Sequence, residues 1–215
     1  LTACAGKPES TPDAGESAVA SPPVVTIVAR DFSYEAPDTI AGGVVTLRLV
    51  NEGPDLHHVQ LVRLDDGHTF EEFASALQAM KPGTPPPGWM HDVAGPNPPP
   101  PGGEQLLTQD LAPGQYALVC FVDTPDHVPH AAKGMLRPLT VLPPTGETPA
   151  MPTSDVTIVM RDYDWGITPA LAAGKHLIKV ENAAAQSHEM FIARLDSGKT
   201  VDDMMAWAQT YKGPP

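Results

Sequence analysis

From Val24 onward, apolar and polar residues alternate with a period of two over short runs broken by Pro and Gly. That period places successive side chains on opposite faces of a strand. VVTIVAR (24–30) reads as a first strand, and VVTLRLV (44–50) as a second after a turn at Gly43. A third is expected to start at His57 in HHVQLVRL. The period then lengthens: Thr69 is a candidate N-cap, with Glu71 and Glu72 in the first turn of a helix over Phe70–Met80. The next stretch, KPGTPPPGWMHDVAGPNPPPPGGE, cannot hold a helix or a central strand, because Pro lacks the amide proton that either requires. Strands resume near Glu104–Asp110, Gln115–Val122 and Leu136–Leu142.

The pattern then repeats. Val25–Thr69 aligns without a gap on Val156–Thr200 at a constant offset of 131 positions. VTIV opens both copies, followed by Arg30-Asp31 and Arg161-Asp162. Gly43 matches Gly174, Asn51 matches Asn182, His57 matches His188, and Arg63-Leu64-Asp65 matches Arg194-Leu195-Asp196. An ungapped match of this length points to duplication. The second copy is expected to form strands over DVTIVMR, KHLIKV and HEMFIARL, then a helix over Val201–Tyr211. By the offset, the counterparts of Cys120, His130 and Met135 lie past Pro215, so the sequence reads as one complete domain plus the first half of another. The expected boundaries are a tether over 1–23, a domain over 24–143, a linker over 144–154 and the half domain over 155–215.

Composition narrows the function. Among 215 residues the net charge is −13 with 13 Lys and Arg, which excludes the clustered cations that nucleic acid needs. No apolar run reaches the roughly 18 residues that span a bilayer. There is no G-x-S-x-G, H-E-x-x-H, P-loop or G-x-G-x-x-G, so enzyme chemistry has no motif to rest on. The opening Leu1-Thr2-Ala3-Cys4-Ala5 resembles a bacterial lipobox, which implies lipidation at Cys4. The following KPESTPDAGESAVASPP has the composition of a flexible tether. Together these imply a lipid-anchored protein at a bacterial cell envelope.

The candidate chemistry lies in GQYALVCFVDTPDHVPHAAKGM (114–135). It places Cys120 at the end of one strand and His130 and Met135, spaced H-x4-M, ahead of the next. A thiolate, an imidazole and a thioether in one loop suit copper. A second imidazole must come from elsewhere, and His57 is the candidate. Alternation puts His57, Val59 and Leu61 on the core face of their strand and His58 on the solvent face. It also turns Cys120 inward with Tyr116 and Leu118.

Gly114, Tyr116 and Cys120 in G-x-Y-x-x-x-C, the H-x4-M with its closing strand LRPLTV, and Asn51 ahead of His57 resemble the cupredoxin family, plastocyanin-like proteins in particular. The resemblance spans about Val24–Leu142, and the second copy shares its first part. It implies an all-β, antiparallel Greek-key sandwich of seven or eight strands with one short helix per copy. It also implies one copper held by His57, Cys120, His130 and an axial Met135, passing single electrons to a redox partner protein. One departure is plain. The family spaces cysteine and second histidine as C-x2-H or C-x4-H, whereas here the gap is C-x9-H to His130 or C-x6-H to His127. Pro125, Pro129 and the H-x4-M register favour His130. The long gap leaves two other readings open: a metal-free scaffold or adhesion module, and copper trafficking or buffering without a thiolate site. His68, His91 and His176 fall at turns or exposed positions and carry no assigned role, and Trp89, Trp165 and Trp207 read as packing residues.

Overall fold

The protein is described by a computed structural model covering residues 21–81 and 83–210. Cys4 and its neighbours lie outside the described residues. The first repeat contains β1 (Val24–Arg30), β2 (Ser33–Glu35), β3 (Thr39–Ala41), β4 (Gly43–Asn51) and β5 (Gln60–Leu64). Helix α1 (Phe70–Ala79) follows, then β6 (Met90–Ala94), β7 (Glu104–Leu111), β8 (Gly114–Val119) and β9 (Leu136–Leu142).

The strands of this repeat form two sheets, one ordered β2-β1-β4-β7 and the other β3-β9-β8-β5-β6. Their facing sides interdigitate. Ile27 and Ala29 of β1 and Leu47 and Leu49 of β4 meet Leu61 of β5, Tyr116 and Leu118 of β8, and Leu139 of β9 in one buried cluster. Alternation along β8 sends Ala117 and Val119 to the opposite face, where they join Val62, Leu64 and Phe73 beneath α1. The fold is therefore an all-β sandwich, with the helix laid over one outer face. The sheets are not purely antiparallel: β1 runs parallel to β4, and β3 to β9.

Helix α1 starts where its caps dictate. Thr69 Oγ1 accepts from the Glu72 amide, and the Glu72 carboxylate accepts from the Thr69 amide, a reciprocal capping box. Within the Pro-rich stretch, β6 forms at the edge of its sheet, where the prolines around it cost no ladder bonds. In the first repeat two sequence-based strand ends move by three residues. The third strand starts at Gln60 rather than His57, because Val59 bonds to the Pro96 carbonyl in a loop instead of to a strand. Strand β8 stops at Val119, because the Cys120 and Val122 carbonyls take the Ala131 and His130 amides.

The second repeat contains β10 (Val156–Arg161), β11 (Asp164–Thr168), β12 (Ile178–Asn182) and α2 (Val201–Thr210). Its parallel register Val156↔Ile178 is Val25↔Leu47 moved by the repeat offset. The expected strand over HEMFIARL does not form, and residues 188–196 have no strand assignment. In the first repeat the equivalent β5 is bonded to β6 on one side and β8 on the other. No described strand stands beside residues 188–196, so the same alternating pattern has nothing to pair with. Trp165 and Trp207, read as packing residues, are 50% and 60% exposed.

Candidate metal centre

The Asn51–His57 loop is held at its base by one side chain. Asn51 Nδ2 donates to the Asp55 and Pro99 carbonyls, while its Oδ1 accepts from the Gly53 amide. This clamp delivers His57, fully buried, to the end of the sandwich where β8 terminates. Cys120, equally buried, is the first residue beyond β8 and faces the core with Leu118 as its alternation requires. On the other side of the loop, His130 opens a short 3-10 turn (His130–Lys133) and is almost completely buried.

The long gap between Cys120 and His130 resolves into a closed excursion. Asp123 and Pro129 form a bridge, the Thr124 amide donates to the Val128 carbonyl, and His127 turns the corner with a positive φ of 59°. The Thr124 hydroxyl also bonds Asp126, whose carboxylate takes a 2.9 Å ion pair from Lys133. At the base of this hairpin the His130 amide donates to the Val122 carbonyl over 2.8 Å. Residues 123–129 are thus bypassed, and His130 follows Val122 in space. Counted that way, the spacing is C-x2-H. His127 is exposed at the hairpin, and His130 is the histidine brought inward.

Three donor atoms converge. His57 Nδ1 and His130 Nδ1 are 3.0 Å apart, and Cys120 Sγ is 3.5 Å from His130 Nδ1. The His57, Cys120 and His130 donors all lie within 4.8 Å of one another, the one such group of His, Cys, Asp and Glu among the described residues. Nitrogen and sulfur ligands sharing one ion stand about 3.4–3.8 Å apart, so the cluster needs only small side-chain shifts to hold a metal. His130 Nε2, which is not among these converging atoms, is buried without a hydrogen-bond partner. Met135 is fully buried in the same apolar cluster as Cys120. Its amide donates to the His130 carbonyl and its carbonyl accepts from the Cys120 amide, so its backbone joins the two.

The electrostatics follow from burial. Burial pushes the Cys120 thiol up, opposed by the His58 and Val122 amides and the Tyr34 hydroxyl. The His58 and Val122 amides would stabilise a thiolate once a cation displaced its proton. Burial, then the neighbouring His57, holds His130 below the usual imidazole range. His58 is pulled down to about 4 by burial and then by His130. Contrary to the alternation along 57–61, His58 does not face solvent. It is half-buried, and its Nε2 accepts the Phe121 amide over 2.7 Å, because the segment at 57–59 is loop rather than strand. Sequence reasoning also passed over Tyr34, whose hydroxyl donates to the His58 carbonyl beside the cysteine.

The remaining histidines stay apart from this group. His91 pairs with Asp65, His176 with Asp155, and His68 stacks on Trp89 at 4.2 Å.

A β-sandwich with two histidines and a cysteine converging at one pole defines a class of potential metal-binding domain. No protein-family model matches the chain, and no curated protein matches it. Among solved structures it is similar to a dithionite-reduced auracyanin from the photosynthetic bacterium Roseiflexus castenholzii, at 24% identity and TM-score 0.39, over 58% of this chain and 99% of that one. It is also similar to auracyanin B, at 25% identity and TM-score 0.40, covering 58% of this chain and 92% of that chain. A third is auracyanin A from Chloroflexus aurantiacus, titled a "blue" copper protein, at 20% identity and TM-score 0.39, over 57% of this chain and all of the other.

Proposed function

We propose that the first repeat binds one copper ion, which His57 Nδ1, His130 Nδ1 and Cys120 Sγ would hold with the Met135 thioether as a further, weaker donor, and that it serves as a one-electron carrier. The observation that carries this reading is the meeting of three buried donors from positions 57, 120 and 130 at one pole of the sandwich. A soft thiolate with two imidazoles is the donor set that selects copper over harder cations. When bound, copper supplies exchange of a single electron between its two oxidation states. The chain's own residues do the rest. The Asn51 clamp and the closed hairpin fix the ligands before metal arrives, and the burial of all three excludes water. The Phe32 ring packs edge-on against His130, its centroid 5.3 Å away.

We further propose that the second repeat belongs to a second domain of the same kind, and that Cys4 carries a lipid holding the protein at a bacterial envelope. The mirrored register of β10 and β12 supports the first point. The lipobox-like start and its tether composition support the second, and no described helix is long and apolar enough to cross a membrane.

The test is one spectrum. Cu(II) added to the full chain is expected to give an intense visible thiolate-to-copper band that Cys120→Ser abolishes. A protein that binds no copper leaves the scaffold reading. Copper binding without that band, indifferent to Cys120, leaves trafficking or buffering.

A further inference from the structure

The two-residue turn between β1 and β2, Asp31-Phe32, lies over both imidazoles of the centre. Phe32 packs against His130 and adopts a left-handed φ of 59°, uncommon for a bulky residue. Asp31 Oδ1 stands 3.1 Å from His57 Nε2, on the far side of the ring from the cysteine-facing nitrogen. The carboxylate is 41% exposed while the imidazole is fully buried, so this one oxygen is the polar partner the ring has on that side. Gly53 leaves the space: a Cβ there would stand 2.5 Å from His57 Nε2 and 3.0 Å from Asp31 Oδ1. The second repeat keeps the pair independently. Asp162 Oδ1 lies 2.9 Å from His188 Nε2, and Tyr163, the counterpart of Phe32, has a φ of 63°. Between positions 31 and 57 the two copies differ at most sites, yet both retain this contact.

We infer that Asp31 is the positioning residue of His57: it holds the ring proton on Nε2, leaving Nδ1 a free electron-pair donor toward Cys120 and His130, and its charge makes that donor stronger. With Nε2–H committed to Asp31, His57 Nδ1 acts as acceptor in the 3.0 Å contact, and His130 Nδ1 carries the proton. A carboxylate behind a ligating histidine fixes its tautomer and raises its basicity. Greater basicity favours the more highly charged Cu(II), so Asp31 lowers the potential of the centre. The statement about potential rests on the copper reading above; the statement about the tautomer does not.

Two variants of the full chain separate the parts. Nitrogen-resolved NMR of the metal-free protein is expected to show His57 as the Nε2–H tautomer. Asp31→Ala should give a mixture, while Asp31→Asn should retain the tautomer, since the amide oxygen still accepts. In the copper-loaded protein Asp31→Asn should weaken Cu(II) binding about tenfold more than Cu(I) binding, a potential raised by ~59 mV. Asp162→Asn should leave that potential where it was. Circular dichroism checks that each variant is folded, and the near-isosteric Asp31→Asn keeps the test open if Asp31→Ala does not fold. A wild-type His57 protonated on Nδ1, or an Asp31→Asn potential that is unmoved, overturns the inference. The expected tautomer in a protein that shows no copper band upholds the positioning role and sinks the copper reading instead.

Discussion

The two repeats start from matching patterns and finish differently. In the first, Leu61 of β5 is fully buried and His57 is sealed in the core. In the second, the counterpart Ile192 is 58% exposed and the His188 side chain 27% exposed. Local features survive the change. The Asn182 side chain reaches the Gln186 carbonyl and the Ala184 amide, as Asn51 reaches Asp55 and Gly53. Thr200 and Asp203 reproduce the cap made by Thr69 and Glu72. Ala184 even stands where Gly53 does, tolerated beside a ring that is less enclosed. Contacts between residues close in sequence thus form in both copies, whereas burial of the histidine requires strands that arrive much later in the chain.

The largest difference should appear in core truncations. Leu61→Ala is expected to cost about 2–5 kcal/mol, and Ile192→Ala under about 0.5 kcal/mol, measured by denaturant unfolding. Similar losses at both sites would mean that the second repeat is enclosed as the first is. Hydrogen exchange should rank the same segments: amides of residues 60–64 exchange only on global opening, and those of 190–195 exchange freely. Slow exchange at 190–195 would break the comparison.

Tyr34→Phe should cost about 1 kcal/mol through the lost bond to the His58 carbonyl. Its counterpart Trp165, half exposed, should tolerate Phe with little change in the same unfolding assay.

The smallest effects are in acid and base. The Thr124 hydroxyl, then Lys133, holds the Asp126 carboxyl down to about 2. Its unfolded value is about 3.9, so its contribution is complete above that pH and is lost as pH falls toward 2. NMR of the His127 and Val128 amides should therefore show the hairpin intact at pH 4 and fraying only below it. In the second repeat, pairing with His176 lowers Asp155, and pairing with Asp155 raises His176. The carboxylate's share is lost as pH falls through its lowered value. The imidazole's share, complete below about 6.5, is lost as pH rises through its raised value. Their contact should persist between about pH 4 and 6.5, and a His176 titration below the usual imidazole range would contradict it.

Much of the first repeat was legible from pattern alone. The strands at 24–30 and 136–142, the capping box at Thr69, and the inward turn of Cys120 all depend on period and neighbours within a few residues. His57, Cys120 and His130, picked out by residue type and spacing, come together in the structure, and Met135 is buried in the same apolar cluster as Cys120. Three matters were settled by distant partners. The C-x9-H gap closes to C-x2-H only because the Val122 carbonyl and the His130 amide meet across a hairpin. His58 is drawn in by the Phe121 amide, 63 positions away. The alternating run HEMFIARL stays unpaired because a strand needs a neighbour to satisfy its backbone. Periodicity records which face of a segment wants burial; whether anything comes to bury it is decided by hydrogen bonds and packing between residues far apart in the chain.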